Sequence, residues 1–432
     1  MSQIFSKNRR TKKNLKTPKE IIWENEEKNS STTNLFYFII YKFIWFLLSF
    51  ARFFMTPFFD LRIGILYSNK IGRFLGNTEF YLRKKSLEKK NKRLDIIFSG
   101  KTINHQVLKM ISRKVFLIEN QAMYNIFNKI KKATLDSNIW IDLNVTGWLR
   151  GNDWTGAKPQ LKFTSEEDAK GKKILSELGL KSDDEFVCVF AKDRFYSDNL
   201  SNPPKKNSFW YENDFRNCDI ENYLLAAEYL TKQNIHVIRM GLHKPEKKLD
   251  VTNSQIIDYT SNIRPSLSNP EFADVYLPAK CKFFIGCTSA IYQFASIFNT
   301  PVAYTNMVPY GECGRNSHDI VIFKKCENRY NNKILSIQEC IKQDITGDWL
   351  TEQKILQLQN DNIYFKENSS EEILDLTKEM NERLNKSWKE QNDEEILQKK
   401  FLEITKIYSS DGTSFPGRVG YNFFKKNSSL LN

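Results

Sequence analysis

The chain lacks the pairings that hold small stapled or metal-centred proteins together. Its seven cysteines, at 188, 218, 281, 287, 313, 326 and 340, never fall as C-x-x-C, and its four histidines never fall as H-x-x-x-H. An odd, irregular set of cysteines describes reduced thiols in a cytosolic protein, not a disulfide framework or a zinc site. No bound metal is expected. No G-x-x-x-x-G-K-[ST] occurs and no G-x-G-x-x-G follows a strand pattern, which argues against nucleotide hydrolysis and dinucleotide redox chemistry. D-x-D is also absent, which argues against a nucleotide-sugar held by a chelated metal. Long apolar runs are scarce. The longest, Leu35 to Phe59, is interrupted by Lys42 and Arg52, and a crossing helix needs about 20 apolar residues.

What is present is enough for two domains and an appendage: 432 residues, 41% hydrophobic and 13% aromatic. The net charge of +14 points to polyanions, whether nucleic acid, anionic lipid or phosphorylated substrates. Much of that charge sits in residues 1–20, with Lys7, Arg9, Arg10, Lys12, Lys13, Lys16 and Lys19, and no nucleic-acid signature accompanies it. Nucleic acid is therefore not an expected partner. The basic arm reads as disordered. Leu35–Phe59 reads as a helix lying in the membrane interface, with Lys42 and Arg52 snorkelling and the arm drawn to anionic lipid. The alternative is a helix docked on the globular body. Flanking positive charge keeps the body cytoplasmic, peripheral to the inner face of the cell membrane.

From Leu61 onward, short apolar runs alternate with helical patterns. Strands are predicted at 62–68, 94–100, 115–118 and 139–143, with a glycine-bearing loop at 69–77 and a helix from Thr78. A Gly/Trp/Pro-containing connection and a short charged helix follow. A second alternating block has strands at 186–192, 235–241, 256–260, 281–289, 301–306 and 319–325, and a helix from Ala290 to Phe298. The remainder reads as mostly helical with an irregular end. The expected divisions are 1–60 (arm and membrane helix), 61–180 (acceptor-side unit and linker), 181–345 (donor-side unit) and 346–432 (helices packing across both). Two α/β blocks of this kind imply facing Rossmann-like domains, whose ligands bind at the carboxyl ends of the strands.

The candidate chemistry is therefore sought at strand ends. "CKFFIGCTSA", Cys281 to Ala290, runs from strand to helix through small polar residues, so Thr288 and Ser289 are candidate phosphate ligands; equally, either residue could simply cap its own helix. Lys192 and Arg194, after "FVCVFA", suit a diphosphate, since guanidinium pairs bidentately with phosphate oxygens. Arg239 lies in an apolar run and requires an anionic partner, either a structural carboxylate or a ligand phosphate; Gly241 beside it allows close backbone approach. In the first block Glu79 is a candidate general base or the first-turn acid of its helix.

With these segments in view, the chain resembles a family of glycosyltransferases from bacterial O-antigen and surface-polysaccharide gene clusters. The likeness runs through "LRIGILYSNKIGRFLGNTEFYL", "DRFYS", "IENYLLAAEYLTKQNIHVIRMG", "IIDYT", "FADVYLPAKCKFFIGCTSAIYQFASIFNTPVAYTN", "SSEEILDLTKEMNERLNKSW" and "LQKKFLEI". More distantly, "VFAKDRF", "VIRMG" and "FFIGCTSA" are similar to fucosyltransferase-type enzymes of the GT-B fold. The resemblance implies a GT-B-like fold and sugar transfer from a nucleotide-activated donor. The expected acceptor is a growing surface glycan, and two facing domains that neutralise the leaving diphosphate with Arg, hydroxyls and a helix N-terminus need no metal cofactor. It also implies donor-binding roles for Arg194, Arg239, Thr288 and Ser289, and inversion of configuration is expected. In one respect the chain departs from the family. The family's first loop often carries a His where "KIGRF" has Phe74, so the resemblance does not supply the base. A catalytically degenerate polysaccharide- or lipid-binding protein of the same fold is the alternative.

Overall fold

The computed structural model describes residues 33–55, 58–88, 92–133, 139–141, 143, 156–194, 215–242, 245, 247–308, 310, 316–345, 350–406 and 417–432. Two parallel sheets organise them. The first contains β1 (Asp60–Leu66), β2 (Arg93–Ser99), β3 (Phe116–Glu119) and β4 (Trp140–Ile141), in the order β3-β2-β1-β4. The second contains β5 (Phe186–Phe190), β6 (His236–Arg239), β7 (Ile256–Ile257), β8 (Phe284–Gly286), β9 (Val302–Met307) and β10 (Ile320–Phe323). A small antiparallel sheet of β11 (Lys325–Asn328), β12 (Lys333–Ile334) and β13 (Ile363–Lys366) follows. β14 (Arg418–Val419) returns to pair with β10 at the edge of the second sheet, whose order is β14-β10-β9-β8-β5-β6-β7.

The apolar runs become strands because helices cover both sheet faces, so a strand such as β5 is buried at every position and need not alternate. Those helices are α1 (Thr33–Met55), α2 (Thr78–Leu87), α3 (His105–Ser112) and α4 (Gln121–Ala133) in the first unit. The connecting helix α5 (Ser165–Glu177) opens on a capping box between Thr164 and Glu167. In the second unit stand α6 (Leu224–Lys232), α7 (Pro270–Lys280) and α8 (Gln293–Ser296), and beyond β12 come α9 (Ile337–Lys342), α10 (Glu352–Asn360), α11 (Ser370–Leu384), α12 (Glu394–Lys406) and α13 (Tyr421–Lys426). This is the α/β class expected, with two parallel, Rossmann-like sheets. The C-terminal helices make their main described contacts with the second unit: α11 lies on α6, β9 and β10.

Several local expectations are corrected. Segment 69–77 is not a loop: the chain is helical from Ile71 and passes through a π-turn, Arg73–Asn77, straight into α2. The helix expected from Ala290 is a 3₁₀ turn, Ala290–Tyr292, followed by the single turn of α8. The strand expected at 256–260 stops at Ile257 and gives way to a second π-turn, Tyr259–Ile263. The tail is mostly helical, as expected, and also contains two short strands. β13 and β14 are too short for periodicity to register, and asparagines with positive φ, Asn332 and Asn362, make the turns that return the chain into strands β12 and β13.

Helix α1 has two different sides. On one, Leu48 packs against Ile63, Ile65, Phe98 and Ile139, and Arg52 donates to Asp60 at 2.7 Å. The Lys129 amine of α4 lies 5.9 Å from the ring of Tyr41. On the other side Phe43, Phe46, Phe50, Phe53 and Phe54 are 56–74% exposed. At about 100° per residue these five share one arc of the helix. No described helix is long and apolar enough to cross a membrane.

Candidate active site

Strand order locates the crevice. Counting β5 to β10 as one to six, the second sheet reads 3-2-1-4-5-6, so direction reverses between β5 and β8. In such sheets ligands bind outside the carboxyl ends of the strands at that switch point. The residues there are Lys192 and Arg194 after β5, and Cys287, Thr288 and Ser289 after β8. The Lys192 N–H donates to Cys287 Sγ at 3.2 Å, tying the two strand ends together. In the first sheet, β3-β2-β1-β4 reverses between β1 and β4. The two switch points meet. A Cβ on Gly72, just beyond β1, would stand 3.5 Å from the Cβ of Ala290, and the Gly76 N–H donates to Gln293 Oε1 at 3.0 Å. The π-turn lies at this contact, and such turns are frequent at functional sites.

The predicted residues fare differently. Ser289 is half-buried in extended backbone, and its hydroxyl makes no hydrogen bond among the described residues. Thr288 is committed to the fold: its Oγ accepts from the Val308 N–H at 2.8 Å and donates to the Asn306 carbonyl at 3.1 Å, fastening the end of β8 to that of β9. Lys192 is buried and its amine donates to Asn217 Oδ1 at 2.7 Å. Arg194 is exposed at the rim.

Arg239 finds a structural partner. Its guanidinium donates to the Lys247 carbonyl at 2.6 Å and lies 3.4 Å from the Asp258 carboxylate, which also accepts from the Leu249 N–H. Burial lowers its pKa, and Asp258 acts against that shift. The tight approach at Gly241 is to protein: a Cβ would come within 2.6 Å of Thr260 Oγ1. Glu79 is fully buried, accepting from Arg83 at 2.7 Å and from the Gln160 N–H at 2.8 Å. Burial raises its carboxyl pKa despite the nearby Arg83 charge. Arg83 in turn donates to the carbonyls of Ala157 and Ile297 and to Asn299 Oδ1, so this pair is a clasp between the two units.

Two features of this face escaped sequence reasoning. Lys324, at the end of β10, is buried with its amine held by the carbonyls of Phe215 and Asn217 at 3.0 and 2.6 Å. Lys192 and Lys324 thus converge on one residue, Asn217, and bring two lysine amines to this floor. Cys218 responds to this: burial would push its thiol up, but a hydrogen bond with Cys287 and the Lys324 charge hold it below its ordinary value. The "KK" at 324–325 was the available signal, but a surface strand end carries the same letters. The second missed feature is an imidazole–carboxylate pair. His105 opens α3 beyond β2, and its Nδ1 lies 3.0 Å from Oε2 of Glu271, in the first turn of α7. Among the described residues, no group of three or more His, Cys, Asp or Glu side chains could hold a metal ion.

No family model matches the sequence, and no curated protein sequence matches it. Solved structures do resemble it. A glycosyl transferase family 9 protein from Veillonella parvula is 11% identical, covering 76% of this chain and 98% of its own, with a TM-score of 0.42. The E. coli ADP-heptose LPS heptosyltransferase II is 11% identical over 70% of this chain and 98% of its own, with a TM-score of 0.35. An E. coli heptosyltransferase, WaaC with ADP, is 10% identical over 73% and 99%, with a TM-score of 0.32. These relatives are described as glycosyl- or heptosyltransferases, not as O-antigen or fucosyltransferase-type enzymes. At identities and scores this low they carry no functional argument, and the site rests on this chain's own geometry.

Proposed function

We propose that this chain is a glycosyltransferase that moves a sugar from a nucleotide-activated donor to a surface-glycan acceptor of O-antigen or capsule type, without a metal. The observation that carries the reading is the meeting of two sheet switch points at Gly72–Ala290, with the Lys192 and Lys324 amines at the floor on the donor side. The donor's diphosphate sits between the β5 and β8 ends. Arg194 and Lys192 supply positive charge and Ser289 a free hydroxyl, and together they stabilise the departing nucleoside diphosphate. Arg239, Gly241 and Thr288 shape this floor from behind. The acceptor approaches from the β1 side as a lipid-linked glycan at the anionic cytoplasmic face of the cell membrane. The exposed phenylalanine arc of α1, with Lys42 beside it, supports that placement. A second reading, binding without turnover, is favoured by one observation: Glu79 is sealed by Arg83.

The test is a thermal-shift screen of the full chain against UDP, GDP, ADP, CMP and dTDP and their common sugar conjugates. A nucleotide at 100 times its dissociation constant stabilises by about 2.7 kcal/mol. A shift that disappears in Arg194→Ala and Ser289→Ala is expected. The absence of a shift with every nucleotide would remove the transferase reading.

A further inference from the structure

We infer that His105, oriented by Glu271, is the general base of this site, and that the base is assembled from both units. The inference rests on the glycosyl-transfer reading. With Glu79 held in the Arg83 clasp and Asp258 held by Arg239, the site needs a proton acceptor from elsewhere.

The geometry is that of an oriented imidazole. His105 Nδ1 lies 3.0 and 3.2 Å from the two oxygens of Glu271. A carboxylate accepts only, so Nδ1 carries the proton and donates, which leaves the Nε2 lone pair as the acceptor. That tautomer follows from the hydrogen-bond network. The ring is fixed at both ends of the pair. Asn104 caps α3 by accepting from the Val107 N–H, and its own amide donates to the Glu271 carbonyl at 2.9 Å. The His105 N–H itself donates to Glu271 Oε2.

The pair does little structural work that simpler groups do not already perform. Glu271 reaches α3 through the backbone N–H of His105 and through Asn104, so the imidazole is not needed to join the helices. Its side chain is 68% exposed, which leaves Nε2 open to a substrate. Its place is also right. α3 follows the carboxyl end of β2, one strand spacing (about 5 Å) from β1. The loops after these two strands are tied together, because the Ile103 N–H donates to the Ser68 carbonyl at 3.0 Å. Glu271 belongs to the unit that carries the two floor lysines. The charged groups on the packed elements include Glu271, the Arg264–Asp274 pair that interacts electrostatically with it, Lys101 before α3, and Lys109 one turn along α3, whose amine is 3.7 Å from Glu167 of α5.

In the step assigned to it, Nε2 takes the proton of the acceptor hydroxyl as that oxygen bonds to the anomeric carbon. The bond from that carbon to the phosphate oxygen breaks, and its electron pair leaves with the nucleoside diphosphate. The imidazolium, stabilised by Glu271, returns its proton to water. A positioned base of this kind contributes about 10²–10⁴-fold.

The experiment uses the full chain and measures release of the nucleotide, as the nucleoside diphosphate from UDP-glucose, GDP-mannose, ADP-glucose and dTDP-glucose and as CMP from CMP-sialic acid, with water as acceptor. His105→Gln is expected to lower kcat at least 100-fold with KM within threefold and with the nucleotide thermal shift retained. Glu271→Gln should lower kcat about tenfold, and Glu271→Asp should recover part of it. Imidazole ¹⁵N spectra give a readout that needs no donor. In the wild type His105 should show Nδ1 protonated and Nε2 bare, and this preference should relax in Glu271→Gln. The opposite tautomer, or a His105→Gln variant within threefold of wild-type release, overturns the base assignment and leaves the transferase standing. A wild type that releases nothing from any of the five donors removes the transferase reading, and the base falls with it.

Discussion

Glu79 and Glu271 each pair with a nitrogen base and each link the two units, yet their settings are opposite. Glu79 and Arg83 are both almost fully inaccessible, and Arg83 also donates to the Ala157 and Ile297 carbonyls and to Asn299 Oδ1. Glu271 is one-third exposed and its histidine two-thirds. A buried pair is rigid, and removing one member leaves a charge without solvent. An exposed pair is weak as glue because water competes for it, and for the same reason its outer nitrogen stays available for chemistry. The molecule holds its units together at one seam and keeps the other open.

The comparison can be broken at the buried seam first. Arg83→Ala strands the Glu79 carboxylate and three acceptors, and should cost about 3–5 kcal/mol in chemical denaturation. A loss below 1 kcal/mol would mean that water already reaches this pair.

The next test concerns Asp95, a buried carboxylate that is not at a seam. It accepts from Arg62, Lys85 and Tyr81. Burial alone would raise its pKa, but these hydrogen bonds outweigh burial and hold it below the ordinary carboxylate range. A depressed folded pKa contributes stability above the ordinary carboxylate range, and that contribution is lost as pH falls through the folded value. Asp95→Asn should therefore cost about 2 kcal/mol at neutral pH and little once acid has protonated the wild type. Denaturation curves at both ends of that window check the sign.

The exposed seam should respond least in stability among the pairs. Glu271→Gln is expected to change unfolding free energy by no more than about 1 kcal/mol, so any large loss of turnover in that variant is not a folding defect. Smallest of all is the exposed face of α1. Phe46→Glu with Phe50→Glu should alter stability by about 0.5 kcal/mol or less, while co-sedimentation with phosphatidylglycerol-containing vesicles falls at least tenfold. If Leu48→Ala, on the packed side, abolished vesicle binding equally without unfolding the chain, the two-sided account of the helix would fail.

How much of this could be read beforehand depends on the range of the signal. The two α/β blocks, the strand that ends at Gly286 and the loss of apolar character at Cys287–Ser289 were legible, because periodicity and small-residue stops are written within about ten neighbouring residues. The π-turn at 73–77 was not, since "IGRFLGN" carries two glycines that locally favour a loop, and burial of Phe74 and Leu75 overrides them. The helix from Ala290 was overestimated for the converse reason: its apolar residues are core residues of a tight turn.

Sequence by itself determined the class of fold, the alternation of strands and helices and the positive charge, whereas the packed and exposed faces of α1 emerged only with the structure. Only the tertiary structure decided which polar residues remain free. Thr288 is spent on Val308 and Asn306, Arg239 on Asp258, and Glu79 on Arg83, whereas Ser289 keeps its hydroxyl. His105 and Glu271 meet across 166 positions of chain. Local patterning records whether a residue is buried, but not which distant group will reach it, and it is that partner that separates a structural side chain from one available to a substrate.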